Sequence, residues 1–157
     1  MSKVVLIGSD PELFVSQRGV ISAAIGKIGG TKDQPRVVDL GALQEDNVLL
    51  EFNIDPADSL QTFQRNINSV LKQAQDSIVQ FELEVVRGLS SHLYQKEQLE
   101  SFGNQAFIFG CEPDFNAWTG QANVMPVDVD PMLRTAGGHL HIGYSHLEEM
   151  DYDKSEA

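Results

Sequence analysis

The chain has 157 residues, with one cysteine, one tryptophan and only 11 lysines and arginines. A single cysteine excludes an internal disulfide framework, so a reducing, cytosolic setting is expected. No apolar run approaches the roughly 18 residues that a bilayer span requires. The apolar run in MSKVVLIGSDPELF at the N-terminus is too short for a signal-peptide core. The few basic residues stand against 23 aspartates and glutamates, for a net charge of −12. A surface of that sign repels a phosphate backbone, which argues against nucleic-acid binding. Neither GxxxxGK[ST] nor GxGxxG occurs, so the Walker and Rossmann phosphate-binding signatures are missing. Ser9, in IGSDPE, has no GxSxG elbow. Cys111, in FGCEPDF, sits among acids, which keep a thiol protonated rather than activate it as a nucleophile beside a histidine.

What is present is an ordinary globular balance, 41% apolar and 22% charged, long enough for one domain with a real core. VVLIGS, 4 to 9, reads as a strand, and Pro11 breaks it because proline cannot donate to a ladder. ELFV, 12 to 15, resumes the extended chain. SQRG and VISAAI complete a hairpin to residue 25, and GKIGGTKDQPR is a glycine-rich loop. VVDLGALQED then leads into NVLLEFNI, 47 to 54, which alternates cleanly. Val48, Leu50, Phe52 and Ile54 share one face, and Asn47, Leu49, Glu51 and Asn53 the other. DPADS supplies a turn and a helix cap. From Leu60 into the seventies, Leu60, Phe63, Ile67, Val70, Leu71 and Ala74 form one stripe of an amphipathic helix that should cover a sheet. FELEVV, 81 to 86, suggests a strand, KEQLES a short helix and residues 105 to 110 another strand. His92 lies in a polar patch and reads as an ordinary residue, while Trp118, in a polar loop, reads equally as a packing residue or a substrate platform. Strands dominate and do not alternate with helices. The expected class is therefore α+β, an antiparallel sheet with helices on one face.

The chemistry concentrates in AGGHLHIGY, 136 to 144. On a strand, His139 and His141 leave the same side about 7 Å apart at the α-carbons, and Leu140, Ile142 and Tyr144 take the opposite side, with Leu140 and Ile142 in the core. Glu51 and Asn53 also occupy the polar face of an apolar strand, and Glu12 follows Asp10 and Pro11 at a strand break. Asp114 and Asn116 lie just beyond a strand end, where binding residues collect. If the apolar faces meet the helix, the polar faces gather Glu12, Glu51, Asn53, His139 and His141 on one surface. Carboxylates with imidazole suit Mg²⁺ or Mn²⁺, whereas structural zinc would ask for thiols.

Four blocks, GSDPELFV (8 to 15), VLLEFNIDPA (48 to 57), FGCEPDFNAWTG (109 to 120) and RTAGGHLHIGY (134 to 144), together resemble the phage-type COOH–NH2 ligases, the phiEco32-like amidoligases of type 2. That family belongs with the glutamine synthetase and glutamate–cysteine ligase superfamily. The resemblance implies a glutamine synthetase-like antiparallel sheet whose concave face holds ATP and Mg²⁺ or Mn²⁺. It implies an ATP-dependent ligation, in which a carboxylate is phosphorylated to an acyl phosphate and an amine then displaces phosphate to form an amide. It implies Glu12, Glu51 and His139 as metal ligands, with His141 beside them, nearer nucleotide or substrate. Asp10, Asn53, Asp114 and Asn116 become cofactor or substrate contacts, and Arg134 meets a phosphate or a substrate carboxylate. The setting implied is the cytoplasm, that of the bacterial host for a phage-encoded chain.

Family members continue well past the histidine strand. Residues 1–145 are therefore expected to form a single ligase-like domain, the N-terminal portion of a longer family fold, with 146–157 an acidic tail. A complementing second chain or a homo-oligomer would cover the open sheet edge. The expected partners are small-molecule or peptide carboxylates and amines. The alternatives are a non-catalytic assembly or regulatory protein on a truncated ligase fold, and a metal-dependent hydrolase using the same face.

Overall fold

A computed structural model of the chain describes residues 4–108, 115–124 and 128–144. The first strand, β1 (Val5–Ser9), stops at Pro11, and β2 (Glu12–Leu13) resumes beyond it. The strands β3 (Val15–Gln17) and β4 (Val20–Ser22) form the expected hairpin around Arg18 and Gly19, both at positive φ. After the glycine-rich loop come β5 (Arg36–Val38), β6 (Gly41–Asp46) and β7 (Leu49–Ile54). Asn47, at φ 54°, turns β6 into β7 rather than beginning the strand.

The long helix, α1 (Leu60–Ile78), is capped by Ser59, whose hydroxyl accepts from the Thr62 amide at 3.2 Å. A 3₁₀ turn over Val79–Phe81 leads to β8 (Leu83–Val85), so the strand read in FELEVV is shorter than its alternation suggests. Next come β9 (Ser91–Leu93) and the short helix α2 (Lys96–Ser101). Of the strand expected over 105 to 110, the described part is instead a 3₁₀ helix over Asn104–Phe107, entered through Gly103 at φ 86°, and residues 109 and 110 lie outside the described residues. A short apolar run has no period of its own, and the local turn decided it. The last strands are β10 (Leu133–Thr135) and β11 (Leu140–Tyr144).

Among the described residues every strand pairing is antiparallel, which fits the α+β reading. The largest sheet has the order β2-β7-β6-β5, a second has β4-β3-β8, and β1-β11 and β9-β10 are two-stranded. Leu50, Phe52 and Ile54 of β7 pack with Val70, Ala74 and Ile78 of α1 around Leu43. Each such fully buried side chain contributes roughly 1.5–3 kcal/mol through removal from water. A second core gathers Phe14, Val48, Leu49, Tyr94 and Leu99. His92 lies edge-on to Tyr94, with centroids 4.5 Å apart, at the margin of that core. Because α1 takes one face of β6 and β7, the opposite face carries their polar residues. No helix is long and apolar enough to cross a membrane among the described residues.

Candidate cation site

The polar face is built by register. Glu12 of β2 lies directly opposite Glu51 of β7, and Glu51 lies opposite Gln44 of β6. Two positions along β6 from Gln44, Asp46 points to the same side. Glu12, Asp46 and Glu51 each offer a carboxylate oxygen within 4.8 Å of the others. Three adjacent strands thus converge three acids on one point.

The immediate neighbours of this cluster are largely acidic, while Lys32 lines a cavity that Asp46 also borders. Asp46 is only 9% exposed, and no amide, hydroxyl or cationic donor among the described residues reaches its carboxylate. Its polar neighbour is the Glu12 carboxyl. Burial pushes Glu12 above the ordinary glutamate range; the Gly137 amide pulls the other way, and the Asp46 charge adds to the rise. Burial also raises Glu51. The amide of Gln44, donating to Oε2 at 2.8 Å, opposes this, while Asp46, Glu12 and Asp10 reinforce it.

The histidine strand reaches the same face through β1. Gly8 pairs with His141, and the chain on either side continues this contact. The Asp10 amide donates to the His139 carbonyl, and the Glu12 amide to the Gly137 carbonyl. In return the His139 amide donates to Asp10 Oδ1 at 2.7 Å, and the Gly137 amide to Glu12 Oε2 at 2.9 Å. Asp10 stands between the two imidazoles, 3.4 Å from His139 Nδ1 and 3.1 Å from His141 Nε2. Burial would raise the Asp10 carboxyl, but the hydrogen bonds from His141 and the His139 amide prevail and hold it below the ordinary range. A cavity of about 480 Å³ opens beside these groups, lined by Asp10, Gln44, Glu51, Asn53 and His141 and by the apolar Leu6, Ile54 and Ile142.

Glu12 and Glu51 are therefore brought together, with Asp10, Asn53 and His141 alongside. His139 contacts Asp10 and stands outside the three-carboxylate cluster. The resemblance assigned Arg134 to a phosphate or a substrate carboxylate; the structure places it elsewhere. It is 2% exposed. Its Nε donates to Asn47 Oδ1 and the Ala106 carbonyl at 3.0 Å, Nη1 to the Pro131 and Leu133 carbonyls, and Nη2 to the Ala106 carbonyl. A guanidinium fork so occupied ties chain segments together. Asn116 closes its own turn, accepting from the Trp118 amide, and Trp118 itself is exposed. Asp114 and Cys111 lie outside the described residues.

Leu140 and Ile142 do leave the side opposite the histidines, but they are 66% and 70% exposed rather than core. Among the described residues the sheet β1-β11 has two strands, and α1 does not cover it as it covers β7.

Asp46 was missed in the sequence because GALQED reads as a connection. Its signal is the spacing of Gln44 and Asp46 around the buried Leu43, just before a turn residue. No known protein family, no curated protein and no solved structure matches the chain.

Proposed function

We propose that Glu12, Asp46 and Glu51 hold a divalent cation, and that this centre serves ATP-dependent carboxylate–amine ligation in the cytoplasm. The observation that carries the reading is Asp46. No hydrogen-bond donor among the described residues reaches its carboxylate, and Glu12 and Glu51 each bring an oxygen within 4.8 Å of it, so a cation would find three oxygen donors already converged. Three hard oxygen donors fit Mg²⁺ or Mn²⁺, and no thiol is needed. A bound cation would offset charge on phosphate oxygens during phosphoryl transfer.

The chain's own residues divide the remaining work. Glu12 and Glu51 each keep one oxygen on a neutral donor, which orients the other toward the centre. Asn53 and His141, on the cavity wall, would orient a carboxylate and an amine. Leu6 and Ile54 restrict water there, which limits hydrolysis of an activated carboxylate.

Calorimetry of Mg²⁺–ATP binding tests the reading, together with phosphate release in the presence of an amine. Glu51→Gln should abolish Mg²⁺-dependent nucleotide binding, and phosphate release should need both Mg²⁺ and the amine. Undiminished binding by the variant would sink the assignment.

One observation favours a second reading, a non-catalytic assembly or regulatory protein that keeps the cation site. No lysine or arginine is among the described residues lining the cavity, and Arg134 is committed to backbone carbonyls. Saturable cation binding without any affinity for Mg²⁺–ATP would select this reading.

A further inference from the structure

We infer that the segment Gly137–His139 is a backbone clasp that positions the cation ligands, and that Gly138 is its positioning residue. The inference rests on the cation centre proposed above. Residues 137 to 139 run antiparallel to residues 10 to 12, and the two amides that face them go to side chains. Gly137 N–H takes Glu12 Oε2 and His139 N–H takes Asp10 Oδ1. Main-chain donors are fixed by the ladder, so these carboxylates cannot rotate independently of β11.

Gly138 sets how closely the clasp approaches. A Cβ there would stand 3.0 Å from Pro11 Cα and 3.3 Å from the Asp10 carbonyl oxygen. Both are backbone atoms and cannot swing aside, so a methyl group would push Asp10, Pro11 and Glu12 outward together. The neighbouring Gly137 is different, since its Cβ would meet only Glu12 Oε2, at 4.0 Å. The same substitution at adjacent positions should therefore have unequal effects. Outer hydrogen-bond partners of metal ligands are typically worth 10–100-fold in affinity.

The test is Mn²⁺ binding followed by electron paramagnetic resonance and water-proton relaxation, on the wild-type chain, Gly138→Ala and Gly137→Ala. Gly138→Ala should weaken Mn²⁺ by about 10–100-fold and raise relaxation per bound ion, because water replaces the displaced Glu12. Gly137→Ala, which keeps the amide and would meet only Glu12 Oε2 at 4.0 Å, should weaken Mn²⁺ less than Gly138→Ala does. Equal affinity and relaxation in wild type and Gly138→Ala would overturn the clasp, whereas a wild type that binds no Mn²⁺ would overturn the cation centre itself. A second measurement needs no variant. On titrating the wild type with Mg²⁺, the Gly137 and His139 amide resonances should shift while that of Gly103 stays in place. Saturation with Mg²⁺ that leaves both amides unmoved would overturn the clasp even where Gly138→Ala fails to fold.

Discussion

Arg134 and Asp46 are both almost fully withdrawn from water, at 2% and 9% exposure, and the fold treats them in opposite ways. Around Arg134, three backbone carbonyls and the Asn47 side chain accept from the guanidinium. Around Asp46, the converging groups are two further carboxylates. A buried charge met by well-placed partners contributes to holding the chain, while one facing its own sign raises the free energy of the folded state until a counter-charge arrives. The two are adjacent through the turn, since Asn47 follows Asp46 and its Oδ1 accepts from Arg134. The Arg134 charge thus anchors the hairpin that carries Asp46.

The largest effect should come from breaking the satisfied member. Arg134→Met leaves the Ala106, Pro131 and Leu133 carbonyls without this donor, and urea denaturation should show about 3–5 kcal/mol of lost stability. Arg134→Lys should recover only part of it, because an ammonium cannot reproduce the fork. A loss below about 1 kcal/mol would remove the contrast.

Breaking the unsatisfied member should separate stability from binding. Asp46→Asn removes the charge that presses on Glu12 and Glu51. The cation-free protein should gain about 1 kcal/mol in thermal or urea unfolding, while cation affinity falls by about 10–100-fold. If stability and affinity fell together, Asp46 would belong with Arg134 as a structural charge.

The same repulsion sets a pH dependence. Glu12 and Glu51 are raised above their ordinary value of 4.5, so the folded chain holds more protons than the unfolded one in the window above that value. Their contribution is complete below the unfolded value and is lost as pH rises through the folded ones. Asp10 acts oppositely, contributing above its ordinary 3.8 and losing that contribution as pH falls through its lowered value. Without cation, stability should therefore decline as pH climbs above about 4.5. Cation affinity should rise over the same window, because the ligands must be ionised. Melting curves across pH, with and without Mg²⁺, check both signs, and Asp46→Asn should flatten the decline.

Much of this was legible in the residues. The alternation in NVLLEFNI placed Glu51 and Asn53 opposite the core, and a period of 3.6 located α1 on the other face. The HxH spacing placed His139, just before β11, and His141, within it, on the same side, where both meet Asp10. Asp46 escaped because a strand ending in acids, with Gly41 at its start, carries little apolar pattern. Arg134 escaped because sequence shows a cation beside a motif but not the carbonyls it will meet. The carboxylate-holding amides of Gly137 and His139 are backbone groups, invisible in residue identity, although two consecutive glycines mark where backbones can approach closely. Leu140 and Ile142 look like core in pattern, but which faces are covered is settled by sheet partners.

That last difference supplies the smallest expected effect. Ile142→Ser, on an exposed position, should change thermal stability by no more than about 0.5 kcal/mol, in contrast to Phe52→Ala in the core, which should cost about 3–5 kcal/mol. A large loss at Ile142 would mean that the outer face of β11 is covered in solution.

The central claim is that three converging carboxylates form a cation site. It is met most directly by titrating the wild-type chain, Asp46→Asn and Glu51→Gln with Mn²⁺ near neutral pH, counting bound ions by electron paramagnetic resonance. Saturable binding in the wild type that is weakened at least about tenfold in both variants is the predicted result. Equal binding by all three chains, or none by the wild type, would contradict it.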